Sequence, residues 1–254
     1  MNILILFIFG LIFGSFLNAV IYRLKSGDGI IKERSKCPKC QHVLGFWDLV
    51  PLLSFVFLQG KCRYCKKNIF WQYPTVELFT GLVFVTGLTL NPQPSTLNPQ
   101  LITFIIFSLF LIIIFVYDLK HYLILDKVSL PAFFIALLLN YYLGRDIINL
   151  LLASVIVAGF FAAQFIVSKG KWIGGGDIRL GLVMGAMLGL PYVFVALFLA
   201  YISGAVIGVA LILIKKKKWS SKVPFGTFLT AATLITLLFG RQLLNWYLTC
   251  FGIW

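Results

Sequence analysis

LITFIIFSLFLIIIFVYD, residues 101–118, runs seventeen residues without a charge and then closes on a carboxylate. A helix that crosses a bilayer needs about 20 mostly apolar residues, and runs of this kind recur along the chain. The clearest others are 2–22, 147–167, 192–214 and 226–248, with shorter or interrupted ones at 74–90, 128–143 and 178–190. Of the 254 residues, 60% are hydrophobic and 12% charged, which would leave one compact soluble domain with far too much apolar surface in water. The expected fold is therefore an all-α polytopic membrane protein of about eight transmembrane helices. The weakest element is 178–190, whose thirteen residues rise only about 20 Å, short of a bilayer core of about 30 Å. The glycine run before it reads as irregular backbone.

Charge gives the orientation. The segments 23–73, 118–127, 169–179 and 215–222 hold 20 of the 22 Lys and Arg residues, and only Arg145 and Arg241 fall on the other side. Cytoplasmic loops retain positive charge, so the N-terminus is expected outside and the basic loops in the cytoplasm. The first span lacks a basic stretch before it, and Arg23 and Lys25 follow it, which reads as a retained anchor and not a cleaved signal. The net charge of +14 is on this reading topological. Anionic headgroups are the expected partner, and nucleic acid is not, because no patterned basic stripe supports it. "KKKK" at 215–218 reads as a stop-transfer cluster, and "NPQPSTLNPQ" at 91–100 as an outer turn.

The expected organisation is a first transmembrane helix at 1–24, a small cytoplasmic domain at 25–73 and a membrane-embedded domain at 74–254. In the second, Cys37 and Cys40 form CPKC, Cys62 and Cys65 form CRYC, and 21 residues separate the pairs. In the cytoplasm disulfides do not persist, so two CxxC pairs point to tetrahedral Zn²⁺. Four sulfur ligands close the coordination shell, which makes the metal structural and not hydrolytic. Redox-active dithiols are the alternative. Cys250 reads as a small packing residue.

The chain has only eight acidic residues, and charge at the membrane edge is expensive and often functional. Asp118 closes the run at the inner end of the third span, and Asp177 closes "GGGD", residues 174–177, at the inner end of the fifth. Packing that brings them together would let two carboxylates share one proton, one acting as general base on water and the other polarising a carbonyl. Gly174 and Gly176 would allow an extended peptide to approach the backbone. Two plainer readings stand beside this: Asp177 as the cap of a helix starting at 178, and Asp118 as a helix-end charge snorkelling beside Lys120.

These residues resemble the bacterial type IV prepilin peptidases, intramembrane aspartic proteases of the GxGD type. The likeness is carried by "GSFLNAVIYRL" at 14–24, "CPKC", "WDLVPLLSFVFLQGKCRYCKKNI", "YPTVEL" at 73–78, "YDLKHYLILDKVSLP" at 117–131, "GGGDIRLGLVMGAMLG" at 174–189 and "VPFGTFL" at 223–229. It implies cleavage of a basic leader from prepilin-like or pseudopilin precursors at the cytoplasmic face of the inner membrane, with Asp118 and Asp177 as the catalytic pair. It also implies N-methylation of the new N-terminus from S-adenosylmethionine, with service to pilus, type II secretion or competence machinery. The family usually has Pro-Asp where this chain has Leu125-Asp126. Asp126 is the rival for the first catalytic position, two helical turns beyond Asp118, and otherwise a supporting residue. Glu77 is expected to neutralise a basic side chain, to touch the methylation site, or simply to start a helix. Asn18 and Arg23 are read as substrate contacts or as packing and anchoring residues, and Asp28, Glu33 and Asp48 as surface or capping residues. A proton- or cation-coupled transporter and an inactive assembly scaffold are the competing classes. The first is weakened by the lack of a charged residue at any span's midpoint.

Overall fold

The computed structural model describes residues 2–27, 29, 34–90, 98–214 and 223–250. The stretch 215–218, Asp28 and Glu33, and most of 91–100, read above from the sequence, lie outside them. Among the described residues the chain is helical, with no β-structure beyond two isolated bridges. The helices are α1 (Ile3–Ser26), α2 (Leu53–Phe57), α3 (Gln72–Leu90), α4 (Pro99–His121), α5 (Asp126–Tyr142), α6 (Ile147–Ser168), α7 (Gly175–Leu188), α8 (Tyr192–Leu213) and α9 (Phe225–Cys250). Six of them, α1, α3, α4, α6, α8 and α9, are long and apolar enough to cross a membrane. The other two long helices, α5 and α7, have 17 and 14 residues.

Two compact units divide the chain, Met1–Leu101 and Ile102–Trp254. In the first, α3 packs along α1 although the sequence groups it with the later helices. Glycines allow the approach: a Cβ on Gly10 would lie 2.6 Å from Gly81 Cα, and one on Gly14 would lie 2.6 Å from Glu77 Cα. Small residues at such positions let membrane helices gain close van der Waals contact without a hydrophobic driving force. Asn18 fastens the ends of the pair. Its amide donates to Tyr73 O at 3.0 Å and its Oδ1 accepts from Gln72 at 3.1 Å, so it is a packing residue of this unit.

In the second unit the shortest long helix, α7, is at the centre, packed against α5, α6, α8 and α9. Leu180, Val183, Met184, Ala186 and Met187 are fully buried. A helix apolar on all sides belongs in a core, and enclosure by protein removes the need to match the bilayer. Its start corrects the sequence reading. Gly175 and Gly176 are already helical and Gly174 is the N-cap, so the glycine run is not irregular backbone. A Cβ on Gly185 would fall 2.2 Å from Ser154 N on α6, and Asn140 on α5 donates to Ala186 O at 2.7 Å. LGRD at 143–146 joins α5 to α6, and LGLP at 188–191 leads from α7 to α8.

Candidate active site

α4 ends at His121, Tyr122 takes a left-handed φ of 55°, and the chain re-enters helix at Asp126. Asp118 therefore occupies the last turn of α4, 4% exposed. The backbone N–H of Thr227, in the first turn of α9, lies near enough to act on its carboxylate. The carboxylate's Oδ2 is buried and has no hydrogen-bond partner in the protein. Asp177 is 7% exposed in the first turn of α7, where its Oδ2 accepts the Gly174 N–H at 3.1 Å. Each carboxylate thus lies beside an amide at a helix N-terminus, where the N–H groups and the helix dipole favour negative charge.

Ile124 shows how the two are brought together. Its Cβ lies 2.9 Å from where a Cβ on Gly176 would be, and its Cδ1 lies 2.9 Å from the equivalent point on Gly226. Gly226 in turn faces Asp118, and a Cβ there would come within 2.8 Å of Oδ2. Asp118 and Asp177 are near enough for one charge to act on the other. A buried carboxylate oxygen without a partner normally demands an explanation, and a site for water or a peptide group beside a second acid supplies one. The cap-type bond of Asp177 is real as well, but it runs from the third helical position back to Gly174 and not from a cap at 177.

Asp126 is placed differently from the sequence reading. It does not follow Asp118 along one helix but opens α5 after a break, and its side chain pairs with Arg179 of α7. Both partners are about half exposed, so the pair joins two helices at the surface. Three further neighbours of the site carry no sign of that role in the sequence. Thr227 and Gly226 lie in the "VPFGTFL" stretch but carry no side-chain chemistry that marks them. Tyr201 of α8 stacks on Phe225 with centroids 5.1 Å apart, exchanges hydrogen bonds with Gln164 at 3.0 and 3.2 Å, and is within electrostatic reach of Asp177.

In the first unit the four cysteines gather. Cys37, Cys40, Cys62 and Cys65 place their sulfurs within 4.8 Å of one another, and Cys37 Sγ is 4.0 Å from Cys65 Sγ. Four thiolates about 2.3 Å from one tetrahedral zinc stand about 3.8 Å apart, so the donor set fits a metal ion. The two knuckles are built alike. Cys37 N–H donates to His42 O and Gln41 N–H to Cys37 O, and Cys62 N–H donates to Lys67 O and Lys66 N–H to Cys62 O, all at 2.9 Å. Gln41 and Lys66 take matching left-handed φ values of 59° and 58°. Burial acts to raise the Cys37 thiol, but hydrogen bonds from the Cys40 and Lys39 backbone outweigh it and bring it down to about 7, toward the thiolate a metal requires. Asp48 ties the module together, accepting from Gly45 N at 3.1 Å, Arg63 at 2.7 Å and Tyr64 at 3.3 Å, and His42 stacks on Tyr64 at 3.6 Å. Glu77 is buried in α3, and its Oε2 accepts the Leu52 N–H at 2.9 Å. Cys250 is exposed at the end of α9 and does not pack inside the protein.

Residues 8–90 match the bacterial peptidase A24 N-terminal domain, and residues 105–209 match the type IV leader peptidase family. The prepilin leader peptidase/N-methyltransferase of Aeromonas salmonicida (strain A449) is 32% identical over 276 residues, covering 96% of this chain and 93% of that one.

The chain belongs to the type IV leader peptidase family.

The prepilin leader peptidase/N-methyltransferase of Bacillus subtilis (strain 168) is likewise 32% identical, over 96% of this chain and 97% of its own. That of Myxococcus xanthus (strain DK1622) is 34% identical over 82% of this chain and 62% of its own. No solved structure matches. Within the leader peptidase family match at 105–209 lie both Asp118 and Asp177, and the four cysteines lie in the N-terminal match at 8–90.

Proposed function

We propose that this chain is a membrane-embedded aspartic endopeptidase that removes the basic leader from type IV prepilin-like or pseudopilin precursors, with Asp118 and Asp177 as its catalytic pair. The observation that carries the assignment is a pair of buried carboxylates from different helices near enough for one charge to act on the other, one of them with an oxygen that no protein donor satisfies. Two acids that share a dry site hold one proton between them once substrate and water bring them into one hydrogen-bonded set, because both cannot ionise cheaply there. The ionised member takes a proton from water as the water attacks the scissile carbonyl carbon, and the protonated member hydrogen-bonds to the carbonyl oxygen as negative charge develops there. Collapse of the tetrahedral intermediate returns a proton to the leaving amine.

The site lies at helix ends and not at a span's midpoint. A transmembrane substrate helix keeps its peptide groups in its own hydrogen bonds, whereas the junction between leader and helix is extended and open to attack. Gly174 supports Asp177 through its N–H, Gly176 leaves room for Ile124, and Asp126 holds α5 to α7 through Arg179. Glu77 supports the other unit through Leu52. The cysteine cluster holds one structural Zn²⁺, whose closed thiolate shell leaves no position for catalysis.

The distribution of Lys and Arg supports the cytoplasmic (inner) membrane, with the N-terminus outside, the basic loops in the cytoplasm and anionic headgroups as neighbours. The relatives' shared name supports methylation of the new N-terminus with S-adenosylmethionine as donor. The test is incubation of a precursor peptide with the purified chain and mass spectrometry of the products. Leader release is expected from the native chain, with at most a trace from folded Asp118→Asn or Asp177→Asn, and normal processing by either variant would overturn the pair.

A further inference from the structure

The segment between the two knuckles is too apolar for the surface of a soluble domain. From Phe46 to Leu58 it reads FWDLVPLLSFVFL, and in the folded protein Phe57 is 81% and Trp47 75% exposed, with Trp71, beyond the second knuckle, 71% exposed. Contiguous apolar surface of this kind marks a binding face. Its depth is set by two contacts inside the same compact unit. The Leu52 N–H, immediately before α2, donates to Glu77 Oε2 at 2.9 Å, and Glu77 stands about 7.5 Å along α3 from that helix's first residue. Phe55 of α2 packs on Trp71, just before α3, with ring centroids 5.2 Å apart. Because α3 is long and apolar enough to span, α2 sits at or below the level where that span enters the lipid. With five residues it cannot cross.

Two adjoining cavities fit one kind of occupant. A groove of about 550 Å³ is lined by Phe55, Val56, Ile69, Phe70 and Trp71 together with Gln59. A second, of about 280 Å³, shares Gln59 and is lined by Phe57, Leu58, Lys61, Arg63 and Lys66. Apolar walls beside a basic mouth complement an acyl chain ending in an anionic headgroup, and aromatic with Lys and Arg side chains is the composition that settles at a bilayer interface.

We propose that Trp47 to Phe57 is an interfacial wedge, with α2 seated in the headgroup and acyl boundary of the leaflet where α3 begins and an anionic phospholipid held between the apolar groove and Lys61 and Lys66. The metal-binding module is thereby fixed against the membrane surface and not merely tethered near it.

The test places a photoreactive side chain, Phe57→p-benzoylphenylalanine, in the full-length chain reconstituted in nanodiscs of phosphatidylcholine and phosphatidylglycerol. Irradiation is expected to give phospholipid adducts in which phosphatidylglycerol is several-fold enriched over its share of the bilayer, with the enrichment lost in a Lys61→Gln, Lys66→Gln background. Absence of lipid adducts, adducts to a second copy instead, or adducts with no phosphatidylglycerol preference would overturn the wedge. Bound zinc is measured on the same sample, and Val56→p-benzoylphenylalanine repeats the experiment if the first variant loses its metal. The readout is independent of proteolysis, so a failure here leaves the peptidase reading standing, and an inactive peptidase leaves this one standing.

Discussion

Gly226 faces Asp118 so closely that a single added carbon at Gly226 would lie 2.8 Å from Asp118 Oδ2, the carboxylate oxygen that no protein group satisfies. The space beside the acid is kept open by the absence of a side chain on α9. Gly226→Ala is expected to abolish or nearly abolish leader cleavage with the helices retained, because the methyl occupies the place a reacting group needs and also meets Ile124 Cδ1 at 2.9 Å. Peptide cleavage alongside circular dichroism in detergent checks it, and an active Gly226→Ala chain would show that the space is not used.

The three consecutive glycines are expected to differ sharply. An added Cβ on Gly175 meets nothing within 4 Å, whereas one on Gly176 meets Ile124 Cβ at 2.9 Å. Gly175→Ala removes a helical glycine at no steric cost and should leave activity intact while stabilising α7 by about 0.5–1 kcal/mol. Gly176→Ala should displace Ile124 from its seat against Gly176 and Gly226, beside the acids, and lower cleavage strongly. Thermal melts and kcat/KM for the two variants decide the matter, and equal behaviour would show that the seat of Ile124 does not shape the site.

Asp118 and Asp177 are expected to act as a unit. The double variant Asp118→Asn with Asp177→Asn should lose little beyond either single one, since groups that share one proton are non-additive in their effect on rate. Single-turnover cleavage measured for the three variants tests this, and multiplicative losses would mean that the acids work separately.

Asp126 should behave unlike either acid. Its partner Arg179 is exposed with it, and solvent-exposed pairs contribute about 0.2–1 kcal/mol. Asp126→Asn is expected to shift the melting temperature slightly and to keep most of the cleavage rate. Loss of activity comparable with Asp118→Asn would transfer the catalytic role to it.

The cysteine cluster should bind close to one zinc per chain, and chelation should unfold the knuckles because four thiols gathered without a metal repel one another as thiolates. Elemental analysis, and proteolysis of the 34–70 region before and after chelation, check this. Native chain that lacks zinc and has four freely alkylated cysteines would overturn the metal site.

Much was legible in one dimension. The membrane elements follow from runs of apolar residues, and their ends were placed within about four residues because charge, Gly and Pro stop such runs by chemistry that neighbours along the chain supply. The cysteine box was readable for the same reason: two residues between ligands suit a knuckle wherever the knuckle lies. What could not be read was non-local. The partner of Glu77 is a backbone N–H 25 residues away, and a buried carboxylate carries no sign of which donor it will find. Asp126 was misplaced because the break after His121 rests on the left-handed Tyr122, a conformation unusual for that residue type.

The amino-acid sequence by itself determined a membrane protein of long helices, a four-thiol module and two acids at the ends of apolar runs, since each depends on composition within a few turns. Only the tertiary structure decided that α7 would be enclosed by other helices, and that Ile124 and Gly226 would set the space beside those acids. Residues 118, 177 and 226 are separated by dozens of positions, so their meeting depends on how helices pack, which no local pattern encodes.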